Sequence, residues 1–93
     1  MEKEKYKKQL AAEGFKHVFE WTDAPDTEYK EHAHKDRVSF FLVEGGLSMT
    51  LGGKTIIIQV GERMDVPVGV KHTATIGPHG CTFIVGEMIE GDS

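Results

Sequence analysis

The chain has 93 residues, 15 acidic and 11 basic, for a net charge of −4. A chain of this size holds one core and no second globular unit, and buries about 60–65% of its unfolded surface on folding. The acidic balance argues against a polyanionic partner, so nucleic acid is not an expected ligand.

Cys81 is the single cysteine and cannot form an intramolecular disulfide, so nothing points to an oxidising compartment. The start of the chain, Met1-Glu-Lys-Glu-Lys-Tyr-Lys-Lys-Gln9, lacks the apolar core of a secretory signal. No apolar run approaches the ~20 residues of a membrane span. A soluble, cytoplasmic protein with no membrane partner is expected.

Residues 1–14 read as an N-terminal helical segment, with helix formers over 2–13 and Gly14 suited to a left-handed stop. Its narrow apolar stripe, Tyr6, Leu10 and Ala11, is expected to rest on the rest of the fold or on a partner subunit. Phe15, His17, Phe19 and Trp21 then alternate with Lys16, Val18, Glu20 and Thr22, the two-residue period of a half-buried strand. His17 falls on the aromatic face and is read as packed there and bonded to backbone, not as a ligand.

Asp23–Thr27 forms a turn, and a further strand starts near Glu28. Strands are expected at Val38–Glu44, Leu47–Leu51 and Thr55–Val60, punctuated by Gly45-Gly46 and by the hairpin pair Gly52-Gly53. This is an all-β meander, not an alternation of strand and helix. Phe40–Val43 and Ile56–Ile58 are continuously apolar and require cover on both faces, from a second copy in a homodimer or from the N-terminal segment. A strand from His72 to Ile76, a turn Gly77-Pro-His-Gly80 with a solvated His79, and a last strand with Cys81, Phe83 and Val85 on one face complete a domain over residues 15–90. Cys81 reads as a small buried hydrophobe. Residues 91–93 form a polar tail.

His32 and His34 stand two apart in an extended stretch, a spacing that projects both side chains to one face while Ala33 points back. A third imidazole, His72, brought in from a pairing strand completes a facial set of nitrogen ligands with open positions for water or substrate. Such a set, with no thiolate, suits Fe, Mn, Ni, Cu or Zn better than Ca or Mg. Ser39, Phe41, Met49, Ile76 and Phe83 are the candidates for the lining beside it.

The downstream histidine ends the stretch Gly61-Glu-Arg-Met-Asp-Val-Pro67-Val-Gly69-Val-Lys-His72. It resembles the second motif of the cupin superfamily: glycine, five residues, Pro-x-Gly, two residues, histidine. The first motif, glycine, five residues, His-x-His, three or four residues, glutamate, six residues, glycine, is matched by His32, His34 and Gly46. The resemblance spans about residues 28–86 and is similar to that of small single-domain cupins of the type-2 conserved-barrel kind. It implies a jelly-roll β-barrel, here with a short N-terminal helix, and a metal near one mouth.

Two positions depart from the pattern. Val38 or Ser39 stands where the family places a ligating glutamate, and Ile76 where the second motif ends in asparagine. Three neutral imidazoles leave the full double charge of a divalent ion, which favours a small anionic ligand; Asp36 is a candidate substitute for the acid, though it reads more simply as a surface turn residue. The sequence therefore points to a metal-binding cupin that acts on a small, anionic molecule as a dioxygenase-like enzyme, or to a non-catalytic module that binds or senses a small molecule or metal.

Overall fold

The computed structural model describes residues 2–88, so the polar tail at 91–93 lies outside the described residues, as do positions 89 and 90 of the barrel domain. Helix α1 covers Glu2–Ala12, with Glu2 and Glu4 in the first turn, where the helix dipole favours negative charge. Gly14 follows with φ 99°, a conformation that stops the helix and costs a glycine little.

Six antiparallel strands follow: β1 (His17–Asp23), β2 (Glu28–His32), β3 (Val38–Leu51), β4 (Lys54–Ile58), β5 (Arg63–Val66) and β6 (His72–Glu87). Two are long, 14 residues in β3 and 16 in β6. They pair from Val38↔Glu87 to Leu51↔His72. The shorter strands share their halves: β1 and β2 take the two ends of β6, and β5 and β4 the two ends of β3. The expected all-β barrel with a short N-terminal helix is the architecture observed.

Gly45-Gly46 and Gly77–Gly80, expected as turns, instead lie inside β3 and β6. They form the crease at which both strands bend, with register shifts at Leu42/Glu44 and Gly45/Leu47. A Cβ on Gly45 would overlap the Gly80 carbonyl oxygen, and one on Gly80 would lie 2.7 Å from that of Asp23. Three backbone segments meet there at a distance only glycine permits. His79 is exposed, as expected, but on a strand.

The long strands separate two apolar layers. Inside lie Phe40, Leu42, Met49, Ile76 and Val85; outside, Phe41 and Ile84 pack with Leu10 and Phe15 under α1. Tyr6 stacks flat on Phe41, ring centroids 4.1 Å apart. The cover demanded by Phe40–Val43 is therefore the N-terminal helix. Burial of Leu10 alone contributes on the order of 1.5–3 kcal/mol. Ala11, expected in the helix stripe, faces solvent. Ile57, expected to be covered, is 70% exposed on the edge strand β4. No helix among the described residues is long and apolar enough to cross a membrane.

Arg63 fastens the helix to the barrel. Its guanidinium donates to both Glu13 carboxylate oxygens, at 2.6 and 2.7 Å, and through Nε to the buried Ser39 hydroxyl at 2.7 Å. It also lies over the Phe41 ring, 5.3 Å from the centroid. The paired guanidinium holds the Glu13 carboxyl at about 2, below its ordinary 4.5. A carboxyl lowered on folding stabilises the fold above its unfolded value and loses that contribution as pH falls through the folded value.

Arg63→Ala leaves the Ser39 hydroxyl buried without its donor, a loss of about 1–3 kcal/mol in urea unfolding at neutral pH. The difference from the parent chain should shrink as pH falls from about 4.5 towards 2; a constant difference would remove the Glu13 pairing from the account. Gly45→Ala should cost more, about 3 kcal/mol or failure to accumulate folded protein, because the clash is with backbone.

Candidate metal centre

The three histidines of the sequence motifs converge at one mouth of the barrel by three different devices. His32 ends β2, whose pairing with β6 runs Tyr29↔Ala74 and then His32↔His72. Three residues of β2 thus face two of β6, and this bulge turns His32 to the same side as Tyr29. His72 opens β6 directly opposite and is buried. His34 lies two residues beyond β2, outside any strand, so strand alternation is not what aims it. Its carbonyl accepts from the Gly69 amide at 3.0 Å, and Gly69 has φ 76°. The left-handed turn of the second motif therefore fixes the second histidine of the first.

Asp26 stands at the first motif's opening position, with five residues between it and His32, and has φ 61°. It keeps the left-handed backbone with one of the few side chains that tolerate it.

The rings lie 4.3, 5.0 and 5.2 Å apart between centroids, and one ligand atom from each falls within 4.8 Å of the others. His32 Nδ1 lies 2.7 Å from the Lys30 carbonyl and His72 Nδ1 3.1 Å from that of Val70. A carbonyl only accepts, so Nδ1–H donates in both, and each Nε2 keeps its lone pair. This is the orienting bond a ligating imidazole uses. Burial lowers the pKa of His34, and the neighbouring His32 and His72 lower it further, against an opposing effect of Glu87. This lowering favours the neutral form of His34, the form that binds metal. The donor set fits a divalent transition metal, which these three side chains would hold.

Behind the imidazoles opens a cavity of about 290 Å³. Its wall is mainly apolar: Phe19 and Trp21 from β1, Phe40 and Met49 from β3, Ile76, Phe83 and Val85 from β6. Of the residues expected beside the histidines, Met49, Ile76 and Phe83 line this cavity. Ser39 and Phe41 do not: both point away, Ser39 to Arg63 and Phe41 to the helix, and Phe40 takes the place on the wall. Parity is not legible there because the run Phe40–Val43 is apolar on both faces, and the lone Ser39 is buried rather than solvent-facing.

Polar groups on this wall are few. Tyr29 donates to Asp23 at 2.7 Å, and burial together with that bond pushes its hydroxyl up to about 12. Trp21 Nε1–H donates to the other Asp23 oxygen at 3.0 Å. Both aromatic rings are thereby fixed against the cavity. Cys81 is buried and its thiol is pushed up to about 11, chiefly by burial, so it is an inert part of the core. Asp36 occupies a bend outside the cavity wall. The carboxylate that does line the wall is Glu87, which the sequence reading missed; its register with Val38 across β3 and β6 is the signal, legible only once the strands are paired. His17 lies 3.4 Å from Glu87 and tilted on Phe19, with 60% of its side chain exposed, and among the described residues it makes no side-chain bond to backbone of the kind expected.

Phe40→Ala should enlarge the cavity and raise the affinity for a bulkier apolar probe without loosening α1. Phe41→Ala should do the reverse, speeding proteolysis near residues 12–16 while the cavity keeps its probe. Equal effects of the two on both readouts would contradict the assignment of opposite faces.

No family model matches the chain. No curated protein matches it either. Solved structures do. An RmlC-like cupin from Shewanella frigidimarina NCIMB 400 is 24% identical over 81% of this chain and 68% of its own, with a TM-score of 0.68. A cupin-2 domain containing protein from the same organism is 25% identical over 73% of this chain and 63% of its own, TM-score 0.59. The polyketide cyclase RemF from Streptomyces resistomycificus is 24% identical over 80% of this chain, TM-score 0.67, and this chain spans only 55% of its length. The bent barrel and these likenesses show that the chain has the cupin fold.

Proposed function

We propose that the protein is a metal-dependent cupin in which His32, His34 and His72 hold one divalent transition ion, and that it acts on a small anionic molecule. The observation that carries this reading is the pair of Nδ1–H bonds to backbone carbonyls, which leave Nε2 of His32 and His72 free in rings that cluster with His34, one ligand atom from each within 4.8 Å of the others. Such an ion supplies Lewis acidity to an oxygen or sulfur donor, or, as iron, a place for substrate and dioxygen together. The chain's own residues do the rest: the rings of Phe19, Trp21 and Phe40 exclude bulk water, and Asp23 locks the Tyr29 and Trp21 rings in position. A cavity of about 290 Å³ lies at the small end of ligand sites and suits a compact molecule with an apolar body.

The enzymatic reading, dioxygenase-like in the iron form, draws support from an enzyme among the structural neighbours, the polyketide cyclase. A second reading is a non-catalytic module that binds or senses a small molecule; it is favoured by Val38, which puts an apolar group on the cavity wall where the motif has its acid.

Protein purified without an affinity tag and supplied with Fe, Mn, Ni, Cu or Zn should retain near one ion per chain for at least one of them. His34→Ala and His72→Ala should each lower that content at least tenfold; a parent chain that never approaches one ion per chain contradicts the metal reading. Oxygen uptake by the iron form with small thiols, diketones or hydroxy acids would exclude the pure binder.

A further inference from the structure

Three neutral imidazoles leave both positive charges of a divalent ion uncompensated inside a mainly apolar cavity, a costly arrangement at low local dielectric. The strand position that would relieve it, by the spacing after His34, holds Val38. Directly across the ladder, paired with Val38 in register, stands Glu87. It shares the inward parity of Phe83 and Val85 on β6, and its side chain lines the same cavity as the three histidines. On its other flank β1 pairs His17 with it, and the imidazole lies 3.4 Å from its carboxylate. Asp36, the nearer carboxylate in sequence, is in a bend off the cavity wall.

We propose that Glu87 is the carboxylate that offsets the charge of the ion held by His32, His34 and His72, delivered from β6 instead of β3. This rests on the three-histidine reading above. It also narrows the ligand class: a double charge reduced by one carboxylate leaves a single positive charge, matched by a monoanion. The aromatic wall of Phe19, Trp21 and Phe40 then suits a monoanionic molecule with an apolar body.

The test uses Co2+ as probe, with affinity read by titration calorimetry and by the visible spectrum of the bound ion. Glu87→Gln should weaken Co2+ binding by about 10- to 100-fold, the range expected for a group that tunes a metal from outside its ligand set. Asp36→Asn should leave it within about threefold. Adding Val38→Glu to Glu87→Gln should restore the affinity, because it moves the same charge across one rung of the ladder. Glu87→Gln binding within threefold of the parent overturns the proposal, whether or not the double variant folds, as does a weakening by Asp36→Asn larger than that by Glu87→Gln. A folded double variant that stays as weak as Glu87→Gln overturns it too. Binding by the parent that is lost in His72→Ala but unchanged in Glu87→Gln refutes this inference alone; no binding by the parent refutes the three-histidine reading with it.

Discussion

The antiparallel pairing of β3 with β6 is the constraint on which the rest of the molecule depends. Both strands are too long to stay flat, and the glycine crease where Gly45 meets Gly80 lets them bend together. The bend gives the sheet an inside and an outside. It also sets the position of His72, at one end of the pairing, and of Glu87, at the other end of the same strand. Phe40 and Phe41, adjacent in sequence, serve different layers because of it: one lines the cavity and the other carries the helix.

Two kinds of hydrogen bond turn this frame into a site. Backbone carbonyls of Lys30 and Val70 orient two imidazoles, and the Gly69 amide holds the chain at His34. The three imidazoles therefore owe their aim to backbone geometry rather than to side-chain packing, which places them with little residual freedom. Around them the chemistry is sparse. The Tyr29 hydroxyl and the Trp21 indole N–H are spent on Asp23, and Cys81 is kept protonated by burial. What faces the cavity, among the described residues, is imidazole, aromatic and aliphatic surface and one carboxylate, a lining consistent with the small anionic molecule proposed above.

Much of this was legible in the sequence because it rests on residues with singular properties. The two-apart histidines and the glycine and proline spacing before His72 marked the donor set, and Gly14 marked the end of the helix. The residues that escaped did so for identifiable reasons. The Phe40–Val43 run has no polar member to reveal parity, so the sequence does not show that Phe41 and Ser39 face away from the cavity. Gly45-Gly46 and Gly77–Gly80 have the composition of turns, yet they serve as a crease inside two paired strands, which local propensity does not distinguish. Glu87 lies far along the chain from the histidines, and only the pairing of β6 with β3 brings it to the cavity beside Val38. Arg63 likewise looks like a surface charge until the fold sets it between Glu13, Ser39 and Phe41.

X-ray absorption on protein loaded with one equivalent of Co2+ or Zn2+ tests the central claim most directly. The account predicts a first shell containing three imidazole nitrogens at about 2.0–2.2 Å, with the multiple-scattering signature of the rings falling to two in His34→Ala. A shell with one imidazole or none, unchanged by that substitution, would contradict it.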